Sequence, residues 1–148
     1  MYTAATMRSV NTPEHSALVH AAERVGDRWI LLLIEALLDG PSRFGELQHR
    51  VDGIAPNILS NRLKQLERDK VVVARPYQER PARYAYELTA SGYELAGALR
   101  LLAQWGASEG DGEPVRHQRC GTPAEARWYC PTCAAILGKD DTSDEIVL

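Results

Sequence analysis

The hydrophobic period of this chain changes at Lys70, and that change limits what the chain can fold into. Before it, I-A-P-N-I-L-S-N-R-L-K-Q-L-E-R-D-K at 54–70 places Leu59, Leu63 and Leu66 at i, i+4 and i+7, the stripe of an amphipathic helix. Pro56 suits the first helical position, where its missing N–H is no loss and its fixed φ already matches a helix. After Lys70 the period becomes two. Val71–Tyr77 and Arg83–Leu88 read as strands, with Q-E-R-P-A between them as a proline-containing loop. A β-hairpin directly after a helix is a wing.

At about 100° per residue, the side of the helix opposite Leu59 holds Asn57, Ser60, Asn61 and Lys64. It carries no acid and no large apolar group, the character a helix needs to lie in a DNA major groove. An ordinary solvated helix face has the same look. Glu67, Arg68 and Asp69 come only at the far end. The hairpin tips the balance, because Arg80 and Arg83 lie at its tip and Arg75 on its incoming strand.

Upstream, Ala17, Leu18, Ala21, Ala22 and Val25 recur at helical spacing within Glu14–Val25, and Gly26 ends that helix. Asp27 is placed to cap the next, Asp27–Leu38, which is apolar nearly all round as a central buried helix should be. Asp39-Gly40-Pro41 stops it. Ser42 is expected to cap a short helix through Val51, with Phe44 and Leu47 inward, and Asp52-Gly53 turns into the 54–70 helix. Two helices, a turn and a third helix with one polar face make a helix-turn-helix pattern. Downstream, Thr89 is expected to cap one long helix to about Gly106 with two apolar stripes, Leu95/Leu99/Leu102 and Ala98/Leu101/Trp105. The second stripe calls for a partner, most economically a second copy, unless both belong to one wide core face.

Net charge is −3, which on its face disfavours nucleic acid. Residues 43–88, however, hold nine Lys/Arg and six Asp/Glu, a local +3, and 139–148 carry −3. Local potential, not total charge, meets phosphates. The longest apolar run, Trp29–Ile34, is too short to span a bilayer, and residues 1–13 lack the apolar core of a secretory signal, so the expectation is a cytoplasmic protein.

With these residues in hand, Val25–Gly106 resembles the HxlR-type winged-helix transcription regulators. The matching pieces are G-D-R-W at 26–29, D-G-P-S-R-F-G-E-L at 39–47, G-I-A-P-N-I-L-S-N-R-L-K-Q-L-E at 53–67 and R-P-A-R-Y-A-Y-E-L-T-A-S-G at 80–92. The resemblance implies a dimer on an inverted-repeat operator, with helix 56–69 in the major groove and wing 71–88 on the flanking minor groove. By position it offers Asn57, Ser60, Asn61 and Lys64 to the bases, and Arg43, Arg62, Arg75, Arg80 and Arg83 to phosphates or the minor groove. Two departures stand out. Ala55 occupies a position where the family usually has a capping Ser or Thr, a loss on the order of 1 kcal/mol. The cysteine that many members carry near the first helix is absent, since P-E-H-S-A stands there.

All three cysteines lie downstream, in H-Q-R-C at 117–120 and C-P-T-C at 130–133. His117, Cys120, Cys130 and Cys133 form H-x2-C-x9-C-x2-C, two short ligand pairs that can fold onto one tetrahedral Zn²⁺ as a closed, structural Cys3His site. Gly121 suits the turn that aims backbone N–H groups at the thiolate. A redox pair at Cys130/Cys133 and unmetallated thiols remain open, although an odd cysteine count fits disulfides poorly. His117 is the ligand most easily replaced by a water or a carboxylate.

The expected architecture is therefore α+β, mainly α: a winged helix-turn-helix domain at 14–106 after an arm at 1–13. A linker at 107–115, a small zinc-ribbon-like module at 116–138 and an acidic tail at 139–148 follow. No G-x-G-x-x-G, P-loop or paired acids suggest an enzyme. The expected function is sequence-specific binding of double-stranded DNA by a homodimeric regulator. The competing reading is a zinc-dependent interaction module that uses the winged helix for docking. It gives no reason to concentrate arginines beside an acid-free helix face.

Overall fold

The computed structural model describes residues 16–110 and 112–137, so the expected arm at 1–13 and the tail at 139–148 lie outside the described residues. Among the described residues, six helices and five strands follow in chain order: α1 (Ala17–Val25), α2 (Arg28–Leu38), β1 (Ser42–Arg43), α3 (Phe44–Arg50), α4 (Pro56–Arg68), β2 (Val72–Glu79), β3 (Ala82–Leu88), α5 (Ala90–Glu94), α6 (Ala96–Glu109), β4 (Trp128–Cys130) and β5 (Ala135–Leu137).

The core is built where the apolar stripes converge. Ile30, Leu33, Ile34 and Leu37 of α2 meet Leu47 of α3, Leu59, Leu63 and Leu66 of α4, and Val71, Val72 and Leu88 at the base of the wing. Leu59, Leu63 and Leu66 are at most 1% exposed, so the α4 stripe is wholly used. Burying each such leucine contributes about 1.5–3 kcal/mol. That commitment fixes the rotation of α4 and leaves its polar side facing out. α1 and α6 behave differently: neither has a fully buried residue. Leu95 and Leu99 pack on the core, whereas Leu18, Leu101, Leu102 and Trp105 are exposed.

The local signals act largely as the residues dictate. Asp27 caps α2 by accepting from the backbone N–H groups of Trp29 (3.0 Å) and Ile30 (3.3 Å). Ala55 precedes α4 with no side-chain cap, and Pro56 stands at the start. Thr89 caps α5 by accepting from Gly92 N–H at 3.1 Å, while its hydroxyl donates to the Lys70 carbonyl at 2.7 Å. Lys70 is at φ 57°, the left-handed turn between α4 and β2. Gly92 fits closely here, since a Cβ on it would lie 2.3 Å from the Val71 carbonyl oxygen. Thr89 and Gly92 therefore lock the foot of the wing onto the end of α4.

Three expectations need correction. Ser42 does not cap α3: it lies buried on β1, accepting from Arg50 Nη1 at 3.3 Å, and Arg43 is the cap residue. The Arg43 N–H donates to Glu46 Oε2 at 2.6 Å, so the acid of the first turn does the capping. β1 pairs antiparallel with β3 (Ser42↔Tyr86, Arg43↔Ala85), giving a three-stranded sheet of order β1-β3-β2. The long helix after Thr89 is interrupted at Leu95 and runs on to Glu109, past the expected end at Gly106. The wing strands are also longer, reaching Glu79 and starting at Ala82, with a cis Arg80–Pro81 bond between them.

Candidate nucleic-acid interface

The turn through Gly53 (φ 76°) joins α3 to α4, and the wing stands beside both helices, β2 against α4 and β3 against α3. On α4, Asn57, Asn61 and Lys64 are exposed and Ser60 is half-buried. The four residues expected to meet bases thus share the side left open by the leucine stripe. Asn side chains offer a donor and an acceptor that match the major-groove edge of adenine, and Lys64 offers a point charge to guanine or phosphate.

The five arginines expected at phosphates separate into two kinds. Arg80 and Arg83 at the wing tip are exposed, and neither forms an ion pair among the described residues. Arg43, Arg62 and Arg75 are engaged within the fold. Arg43 lies over the Tyr77 ring, 4.3 Å from its centroid. Arg75 pairs with Glu87 on the neighbouring strand. Arg62 donates from Nε and Nη2 to the two carboxylate oxygens of Asp27, at 3.0 and 2.9 Å. Lying next to buried Leu63, Arg62 reaches across to the start of α2 and ties α4 to it. The Arg24 guanidinium likewise donates to the Asp69 carbonyl at the end of α4. Sequence reasoning missed Tyr77 and Tyr84, exposed on the wing. Their position among alternating residues was the available signal.

Asp27 carries a measurable consequence. The Arg62 hydrogen bond, opposed by partial burial and aided by the Ile30 N–H, holds its carboxyl below the usual carboxylate range. A lowered folded pKa means the stabilisation is complete above the unfolded value, near 4, and is lost as pH falls through the folded pKa. Asp27→Ala should cost roughly 1–3 kcal/mol at pH 7 as cap and bridge are lost together. Asp27→Asn, which keeps the cap, should cost at most about 1 kcal/mol. Urea denaturation should show both gaps narrowing as pH falls below about 5 and on through the lowered folded pKa, the Asn gap closing once the carboxyl is protonated in both states; a pH-independent gap would contradict the ion pair.

Beyond α6, the chain forms two tight turns. In the first, the Gly121 N–H donates to the His117 carbonyl at 2.8 Å with Gly121 at φ 71°, and His117 Nδ1 lies 3.2 Å from Cys120 Sγ. In the second, β4 and β5 pair antiparallel, Cys130 opposite Ala135, and Cys133 falls in the turn before Ala134 at φ 51°. Each turn thus has a left-handed residue directly after its second expected ligand. Hydrogen bonding from Thr122, with His117 adding to it, lowers the Cys120 thiol to about 7. Among the described residues, no three His, Cys, Asp or Glu side chains are gathered into one metal-holding group. The first ligand pair is brought together; the four are not.

The chain matches the HxlR-like helix-turn-helix family model over residues 24–113. It is 36% identical over 137 residues to an uncharacterised HTH-type transcriptional regulator of Mycobacterium tuberculosis (strain H37Rv), a match covering 89% of this chain and 86% of that one. Among solved structures it is similar to a MarR-family transcriptional regulator of Enterococcus faecalis V583, at 33% identity and TM-score 0.58, covering 69% of this chain and 93% of that one. The reduced form of the Bacillus subtilis transcriptional regulator YodB is also similar, at 31% identity and TM-score 0.56, covering 66% and 92%.

Proposed function

Because this chain belongs to the HxlR-like helix-turn-helix family and is a DNA-binding transcriptional regulator, we propose that it binds an inverted-repeat operator as a homodimer. In this reading α4 lies in the major groove, with Asn57, Ser60, Asn61 and Lys64 toward the bases, and the wing tip meets the flanking minor groove through Arg80 and Arg83. The observation that carries the reading is the division of α4: one side is consumed by Leu59, Leu63 and Leu66, and the other is left polar and free of acid. Arg62 and Arg75 hold the frame, and Arg43 lies between frame and surface.

The dimer rests on the apolar surface left open by α1 and α6. Leu18, Leu101, Leu102 and Trp105 are 40–66% exposed within a single chain. Two copies joined there would carry two α4 helices, and helix-turn-helix dimers of this kind read half-sites about one helical turn, or a multiple, apart. Sequencing DNA fragments retained by the purified protein should return an inverted repeat. Leu101→Glu with Trp105→Glu should convert the dimer to a monomer by light scattering and weaken operator binding. A tight-binding monomer on a single asymmetric half-site would overturn the proposal.

We further infer a structural zinc in residues 116–137. Three thiols and an imidazole suit the softness and tetrahedral preference of Zn²⁺, whereas Mg²⁺ or Ca²⁺ would want oxygen ligands. The two turns with left-handed residues behind Cys120 and Cys133 support it. His117, Cys120, Cys130 and Cys133 would hold the ion once the two turns close on each other, and the ion would supply cross-linking rather than chemistry.

A further inference from the structure

We propose that the cleft between the winged helix and the C-terminal segment binds a small organic anion. The cleft is open to solvent and offers about 1140 Å³, somewhat more than the ~300–1,000 Å³ of most small-molecule sites. One wall is formed by α2, the end of α3 and α6; the other is the strand-like pair around Val115 and Ala124, joined by an Ala124 N–H to Val115 carbonyl bond of 2.8 Å. Neither α4 nor the wing contributes to it, so it is separate from the DNA-facing surface.

The lining is both cationic and apolar. Arg28, Arg50, Arg100, Arg116 and Arg119 face it, against Glu35, Asp39 and Asp52, a formal surplus of two positive charges. Arg50 is taken up by Asp39 and Ser42, and Arg116 by the Gly121 carbonyl (3.0 Å) and Glu113 (3.5 Å). Arg28 lies over the Trp29 ring. Arg100 and Arg119, from opposite walls, make no ion pair or side-chain hydrogen bond among the described residues. Leu32, Leu38, Val51 and Val115 supply the apolar surface between them. Two uncommitted guanidiniums across an apolar gap suit a carboxylate, sulfonate or phosphate attached to a hydrocarbon body. A purely inorganic anion would waste the apolar surface, and a neutral body would leave the charge surplus unanswered.

The site also has a route to the DNA surface. Arg50, Val51 and Asp52 end α3 and begin the turn that aims α4. An occupant bridging that turn to the C-terminal segment would bias the placement of α4. Its regulatory meaning rests on the DNA-binding reading, whereas binding itself does not.

Calorimetry on the full chain with naphthalene-1-sulfonate and the neutral 1-naphthol tests the proposal. The sulfonate should bind at least about tenfold tighter, a difference of roughly 1.4 kcal/mol. Arg100→Gln with Arg119→Gln should erase that preference without lowering the melting temperature, both residues being exposed. NMR shifts on sulfonate addition should fall on Leu32, Val51 and Val115. No binding, equal binding of the two probes, a preference unchanged in the double variant, or shifts confined to Leu101, Leu102 and Trp105 would each overturn it. DNA binding without anion binding sinks this site alone; anion binding without DNA binding upholds the site and sinks the regulator reading.

Discussion

Arg80→Glu with Arg83→Glu will lower DNA affinity on the order of 100-fold near 0.1 M salt, on operator and random DNA alike. The reason lies in how the arginines divide. Arg62 and Arg75 are occupied by Asp27 and Glu87, and Arg43 is stacked on Tyr77. Arg80 and Arg83 have no such commitment among the described residues, so their charge is available to phosphate. Each phosphate contact releases a condensed counterion, and losing two should flatten the slope of log K against log salt by about two units. Reversing the sign adds repulsion to that loss. Fluorescence anisotropy across a salt series reads both effects. A loss confined to the operator would instead assign these arginines to base reading, as minor-groove arginines can do.

Chelation will strip a single zinc ion from each chain and release the segment beyond about Glu113 to proteases, while α2 to α6 stay folded. The motive is how little else holds this segment. Trp128, Tyr129 and Ile136 are 58–59% exposed, so the β4–β5 hairpin buries almost no apolar surface of its own. A two-stranded hairpin of that kind is marginal in water. Structural zinc contributes about 10–16 kcal/mol in finger peptides, enough to order such a segment by itself. Elemental analysis should find the zinc lost on Cys130→Ser and reduced on His117→Ala. Zinc-free protein whose residues 116–137 still resist proteolysis would contradict the assignment.

Much of the winged helix was legible because its signals are local. The stripe Leu59/Leu63/Leu66 specifies both a helix and its buried side, and the shift to period two after Lys70 announces the hairpin. Asp27 and Thr89 act as caps through bonds to residues two or three positions on. What could not be read depends on partners distant in sequence. β1 is two residues long, too short to show any period, and exists because β3 offers it an edge. That pairing draws Ser42 into the core and hands the cap of α3 to Arg43 and Glu46. The resemblance offers Arg62 to phosphate by position, and the partner that engages it in the fold, Asp27, lies 35 residues away. The break at Leu95 is only faintly marked, since the good helix formers Glu94 and Ala96 flank it directly and the weak positions Gly92 and Gly97 stand a little further off. In the C-terminal segment the spacing names the ligands, and closing two turns onto one ion is a tertiary event that spacing does not describe.

The most direct measurement of the central claim is the ratio of operator to random-DNA affinity for Asn61→Ala at fixed salt. Asn61 is exposed on the acid-free side of α4, and its loss does not touch Leu59, Leu63 or Leu66. If α4 reads bases, the variant should lose about 1–3 kcal/mol on the operator, keep its affinity for random DNA and keep the wild-type salt slope. An unchanged ratio, with operator and random DNA weakened equally, would mean that α4 only positions the protein on the backbone and that the recognition helix has been misassigned.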